Sequence, residues 1–212
     1  MSEEKNYLVV GLGNPGPEYA YTRHNIGFRI LENWLFNLNL TDNSPIDKLK
    51  FNQKHQAKLG IIKLNNRKII AAEPQTFMNN SGSAVASLQK YYRIPLENIL
   101  VIQDELDLPL GQVRISRSSG PAGHNGLKSI IQQLGSNDFS RLRLGIAPKE
   151  KQKIKQKDFV LNKFSPTEEK IIDQILPLSN EIITYFIKHG FSATANKFNN
   201  PDSLARNKSL EK

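Results

Sequence analysis

Along this chain, short apolar runs alternate with stretches in which apolar residues recur at helical spacing. Tyr7, Leu8, Val9 and Val10 form an unbroken apolar run, the pattern of a buried strand. From Gly27 the apolar residues Leu31, Trp34, Leu35 and Leu38 recur at three and four, which predicts a helix. Residues 61–63 and 68–72 flank Asn65-Asn66 and predict a hairpin. Residues 74–82 read as a loop, followed by a helix with Val85, Leu88 and Tyr92 on one face and Pro95 as its stop. Residues 99–102 predict a central strand that ends by presenting Gln103, Asp104 and Glu105. Residues 113–116 predict another strand. Leu127, Ile130, Ile131 and Leu134 mark a short helix closed by Gly135.

Residues 141–147 alternate basic and apolar, as a strand with one solvated face should. Ser165-Pro166-Thr167-Glu168 has the form of a capping box with proline in the first turn. The helix it opens carries Ile171, Ile172, Ile175, Ile182, Ile183 and Phe186, with Pro177 as a kink and Gly190 as the stop. Strands and helices interleave, so the class is α/β. Residues after Asn199 are polar and are expected to fray.

The segment GLGNPGPEYAYTRHNIGF, residues 11–28, follows the first strand and places Asn14 and His24 where ligands collect in open α/β sheets. Gly11, Gly13 and Gly16 satisfy the spacing of a dinucleotide fingerprint. That fingerprint needs a helix entering at the third glycine, and here Pro15 and Pro17 bracket it. An acid ending a second strand is also required, yet Glu32 falls in a helical pattern. The segment reads instead as a turn and an extended stretch that display Asn14.

The 212 residues are 38% hydrophobic, enough for one sizeable core, with no repeat and no central linker. No apolar stretch approaches membrane-spanning length, and the polar start resembles no targeting peptide, so a cytoplasmic protein is expected. The absence of cysteine excludes disulfides, thiolate zinc sites and a cysteine nucleophile. A net charge of +9 points to a polyanionic partner. Residues 141–157 concentrate it, with seven basic residues against Glu150.

Of the four histidines, His189 sits at a predicted helix end and His55 in a polar stretch expected to be exposed. No histidine has metal-ligand spacing in the sequence, and neither HExxH nor GxSxG occurs. His24 and His124 are each followed by asparagine in a glycine-rich loop. Asp104 could orient an imidazole by accepting one ring hydrogen, leaving the other nitrogen to take a proton from water.

The motifs VVGLGNPGPEYAYTRHNIGF, PQTFMNNSG, QDELDLPLG, AGHNGLKSI and RLRLGI, with FVLNKF and NKFN beyond, occur in this order. Together they resemble the bacterial-type peptidyl-tRNA hydrolases over most of the chain. The resemblance implies a single α/β domain over residues 1–199, built on a twisted, mixed, mostly parallel sheet flanked by helices, with a polar tail at 200–212. It implies a monomer that uses neither metal nor cofactor and cleaves the ester between peptide and tRNA. It further implies His24 as general base, Asp104 as its orienting partner, and Asn14 holding the histidine or the water. Asn79, Met78 and Asn125 would bind peptide and acceptor end, while Tyr19, Phe77 and His124 would shape the cleft.

Arg114 and Arg143 match phosphate-binding positions, but Ser116 stands where the family pattern has a second basic residue, and alternation turns Arg117 to the opposite face. The competing readings are an RNA-binding protein on the same fold without turnover and, more distantly, a nucleotide-dependent oxidoreductase.

Overall fold

The computed structural model describes residues 5–41, 49–64, 66–148 and 155–200. Within them lie seven strands: β1 (Lys5–Gly11), β2 (Lys50–Asn52), β3 (Ala57–Leu64), β4 (Arg67–Pro74), β5 (Ile99–Pro109), β6 (Val113–Arg117) and β7 (Ser140–Ala147). They form one sheet in the order β2-β3-β4-β1-β5-β7-β6. The central strands β4, β1, β5 and β7 run parallel, and the outer pairings are antiparallel. The fold is α/β with a mixed sheet that is parallel at its centre.

Helices α1 (Ile26–Thr41) and α5 (Pro166–Phe198) cover one face; α2 (Ser81–Tyr91) and α3 (Asn125–Leu134) cover the other. α4 (Gln156–Phe159) is a single turn. Alternation along β1 sends Tyr7 and Val9 into the core beneath α1 and α5, and Leu8 and Val10 into the core beneath α2 and α3. The chain leaves β1 toward one face and β4 toward the other. A crevice therefore opens beyond the carboxyl ends of these neighbouring strands, and the polar loops gather there.

The start of α1 is pressed onto the sheet at Gly27. A Cβ there would collide with the carbonyl oxygen of Ile102 and meet Leu12 N at 2.5 Å. Gly27→Ala is expected to cost about 1–3 kcal/mol through overpacking against backbone. Thermal denaturation checks this, and an unchanged midpoint would mean that α1 can back away freely.

Several expectations are corrected. Residues 17–22 are not extended but coil in successive turns, with Tyr19 N donating to Gly16 O (3.2 Å) and Thr22 N to Tyr19 O (2.9 Å). Pro17, with its fixed φ, suits a turn as well as an extended chain. β5 does not stop before Asp104; it continues through Glu105 because β7 pairs with it that far, Asp104 lying opposite Leu144. β7 has no fully solvated basic face, since Arg141 is buried. α2 ends before Pro95, where Arg93 takes a positive φ of 52° and Ile94 N closes back on Gln89 O. The loop expected at 74–82 contains a 3₁₀ turn at Met78–Asn80 and the first residues of α2.

In α5 Gly190 (φ 76°) interrupts the helix where a stop is expected, but the helix resumes beyond it to Phe198. His55 is buried rather than exposed, its Nδ1 lying 2.8 Å from Ser87 Oγ. The capping box at Ser165 and the left-handed Gly135 behind α3 are as the sequence predicts. Of the expected tail, residues 201–212 lie outside the described residues, as do 149–154 of the basic run.

Candidate active site

His24 sits in a 3₁₀ turn, Arg23–Asn25, between the loop after β1 and the start of α1. Chain far away in sequence holds this turn in place. His24 N donates to Val160 O (2.9 Å) and Arg23 N to Asn162 O (3.0 Å). The Arg23 guanidinium donates to Lys163 O (2.7 Å) and to both oxygens of Glu168 (2.8 Å each). It also lies over the Phe159 and Phe164 rings. Glu168 is the same residue that closes the capping box of α5, so the helix cap and the histidine turn share one carboxylate.

His24 Nδ1 is 2.8 Å from Asp104 Oδ1, and His124 Nε2 is 3.0 Å from the same oxygen. His124 caps α3, its Nδ1 accepting from Gly126 N (3.1 Å) and Leu127 N (3.4 Å). That fixes its tautomer: Nδ1 is bare, Nε2 carries the hydrogen, and the hydrogen points at Asp104. Burial alone would raise the Asp104 carboxyl, but the two imidazoles hold it well below the usual carboxylate range. Burial pulls His24 down, and the charge and hydrogen bond of Asp104 outweigh it, leaving His24 above 6.5. The His24 Nε2 atom is left for chemistry.

One donor atom each from His24, Asp104 and His124 lies within 4.8 Å of the others, a spacing that could hold a metal ion and that the linear sequence hides. The hydrogen bonding does not suit that use. To ligate through Nε2, a neutral His124 would have to move its proton to Nδ1, where two backbone N–H groups already point.

Asn14 is locked by its neighbour. Asn14 N donates to Asn25 Oδ1 (2.9 Å), and Asn25 Nδ2 donates to Asn14 O (2.9 Å). Met78 N donates to Asn14 Oδ1 (2.8 Å), tying the loop after β1 to the loop after β4 across the crevice. These bonds leave the Asn14 Nδ2 group uncommitted among the described residues.

His24, Asp104, His124 and Asn125 share the wall of one cavity of about 160 Å³, joined by Gln156 and Lys157. Met78 lies against Gly126, where a Cβ would meet its Sδ at 2.5 Å. Tyr19 and Phe77 meet edge to face at 6.4 Å, and Phe77 is exposed. Asn79 is exposed on the turn beside Met78.

Arg114 and Arg143 are paired across β6 and β7, and Arg143 Nε donates to the buried Glu105 (2.9 Å). Ser116 pairs with Arg141 in the same ladder. Arg141 is turned inward onto Ser119 O (2.6 Å) and Gly120 O (2.7 Å), and burial, helped by Arg143, lowers it to about 10. Arg117 is engaged by Asp138 (2.8 Å). The sequence marks Lys157 only as part of the basic run 141–157, and it gives no role to Asn25, Gln156 or the clamp at Arg23. Of these last, only Asn25 left a signal, in the repeated His-Asn pair.

The family model for peptidyl-tRNA hydrolase matches residues 8–207. A peptidyl-tRNA hydrolase of Lacticaseibacillus casei is 40% identical over 193 residues, which is 91% of this chain and 99% of that protein. The enzyme of the same name from Clostridium tetani is 39% identical over 194 residues, covering 92% of this chain and 97% of its own. The crystal structure of peptidyl-tRNA hydrolase from Acinetobacter baumannii superposes with a TM-score of 0.76 at 32% identity, covering 98% of this chain and 97% of that one.

Proposed function

Because this chain belongs to the peptidyl-tRNA hydrolase family, we propose that it cleaves the ester joining a peptide to the terminal ribose of tRNA, with His24 as general base. In this mechanism His24 Nε2 takes a proton from water, and the resulting hydroxide adds to the ester carbonyl carbon. The tetrahedral intermediate collapses, the ribose oxygen leaves, and the imidazolium returns the proton to it. Asp104 fixes the productive tautomer and balances the imidazolium; His124 positions Asp104. An ester needs less activation than an amide, so a positioned water and a histidine suffice.

Asn14 holds the histidine or the attacking water. Asn79 and Asn125 read peptide amides, which they can both donate to and accept from. Met78, Tyr19 and Phe77 shape the cleft around them. A free aminoacyl ester carries an ammonium group where a peptidyl ester carries an amide. Amide-reading groups left unmatched would disfavour it.

The observation that carries the reading is the His24–Asp104 contact of 2.8 Å at the cavity wall, which leaves Nε2 free to act as base. It disfavours an RNA-binding protein without turnover, which would have no need of an oriented base. Release of free tRNA from N-acetyl-aminoacyl-tRNA by the purified protein tests it; tight binding without release would refute it. Peptidyl-tRNA arises in translation, so the reading puts the activity in the cytoplasm. The dyad and the asparagines come from one chain, residues 1–199, and so require no second protomer. No described helix is long and apolar enough to cross a membrane.

Arg114 and Arg143 are the proposed contacts to the tRNA phosphate. With Arg141 spent on the loop at Ser119 and Gly120, Arg143→Ala is expected to weaken tRNA binding and lower its salt slope by roughly one unit. Hydrolysis of a short ester without the tRNA body should barely change. Ser116→Lys should tighten tRNA bearing a 5′ phosphate more than tRNA lacking one. Equal tightening would remove Ser116 from the phosphate path.

A further inference from the structure

A second cavity, of about 320 Å³, lies behind the Asn14–Asn25 lock, and both asparagines line it. Glu73 from β4 and Glu32 from α1 face each other in its wall. Glu73 is 1% exposed; its carboxyl hydrogen-bonds to that of Glu32, and its Oε1 has no partner among the described residues. Of the nearby cations, Arg29 is committed to Glu169 through two bonds of 3.1 and 2.7 Å. Lys58 on β3 acts on Glu73 at a distance, but no ion pair joins them among the described residues. Ionising both members of this buried pair without a donor would be costly, and a cationic donor is the partner that best offsets it.

We propose that the Glu32–Glu73 pocket is a subsite for a cationic side chain, a lysine ammonium or an arginine guanidinium, carried by the peptide of the substrate. This rests on the peptidyl-tRNA reading above and goes beyond it by naming a peptide preference. An organic cation fits better than a metal ion for two reasons. The volume far exceeds what one ion needs, and Pro15, Pro17, Ala20 and Phe28 offer apolar wall for a methylene stem; of the lining charges Arg29 is already paired with Glu169, which leaves two carboxyl groups against Lys58. The location fits as well. Asn14 belongs both to this pocket and to the set proposed to hold water or peptide, so a chain held there has this opening beside it.

Burial, with Glu32 adding to it and Lys58 opposing, pushes Glu73 up to about 8. The charged groups around it are Glu32 and Arg29 from α1 and Lys58 from β3. At neutral pH the carboxyl therefore keeps its proton, and a bound cation displaces it. The preference for a cation should accordingly grow as pH rises through this value.

The test compares N-acetylated dipeptidyl-tRNAs that carry lysine or norleucine at the first or the second peptide position. The readout is the ratio of kcat/KM for lysine over norleucine. In the native protein the ratio is expected to be about tenfold at one of the two positions and larger at pH 9 than at pH 7. In Glu73→Gln it should fall to near one and lose its pH dependence. Equal kcat/KM for both side chains at both positions overturns the proposal while leaving the hydrolase reading intact, because norleucine esters would still be cleaved. A ratio kept in Glu73→Gln also overturns it, since a merely structural Glu73 would slow both substrates alike. Binding of Mg²⁺ that Glu73→Gln abolishes, with no lysine preference, would replace the peptide subsite by an inorganic-ion site.

Discussion

His24→Ala is expected to lower single-turnover hydrolysis of peptidyl-tRNA by roughly two to four orders of magnitude, about 3–5 kcal/mol in barrier height, with tRNA binding largely retained. The expectation follows from geometry. Of the two imidazoles that meet at Asp104 Oδ1, only His24 has a ring nitrogen not already committed. His124 has one nitrogen on the amides of α3 and the other on Asp104, so it cannot take over as base without releasing the helix cap. Cleavage by the alanine variant within about threefold of the native rate would remove His24 from the role.

Asp104→Asn should keep the shape of the site and still lower turnover by roughly two to four orders of magnitude. A neutral amide no longer balances the imidazolium, and its NH₂ group, turned to His24, would favour the wrong tautomer. The pH profile separates this from a folding defect. In the native protein Asp104 holds His24 above 6.5 against burial, so activity should fall as pH drops through that raised value and the base becomes protonated. Without the carboxylate, burial acts alone and the acid limb should move to lower pH. An acid limb that stays in place would show that His24 is not the group titrating.

Much of the local structure is written in the chain because it depends on neighbours in sequence. The capping box at Ser165, the helix closed by Gly135 and the buried strand at Tyr7 all follow from side-chain spacing and backbone chemistry within a few residues. So does the failure of the dinucleotide fingerprint, since Pro15 and Pro17 act through their own φ and missing N–H. His24, Asp104 and Asn14 could be singled out as polar residues beside apolar strands, and the ordered motifs supplied the family.

Contacts between distant segments lay beyond that reach. Alternation in residues 141–147 suggested a solvated basic face, yet Arg141 is buried, its two terminal nitrogens donating to carbonyls of the loop at Ser119 and Gly120. Asp104 lies within β5 rather than beyond it because β7 supplies a pairing partner that β5 itself cannot announce. The sharing of one carboxylate oxygen by His24 and His124, 100 residues apart in the chain, exists only once α3 is set against β5. The same holds for Glu73 and Glu32, which spacing never relates and which meet only once β4 pairs with β1 and α1 packs on β1. The chain determined which residues were available and how each short segment would coil. Which of them touch, and hence their ionisation, was decided by how helices and strands remote in sequence dock, since the energies involved depend on burial and on distances of a few ångströms.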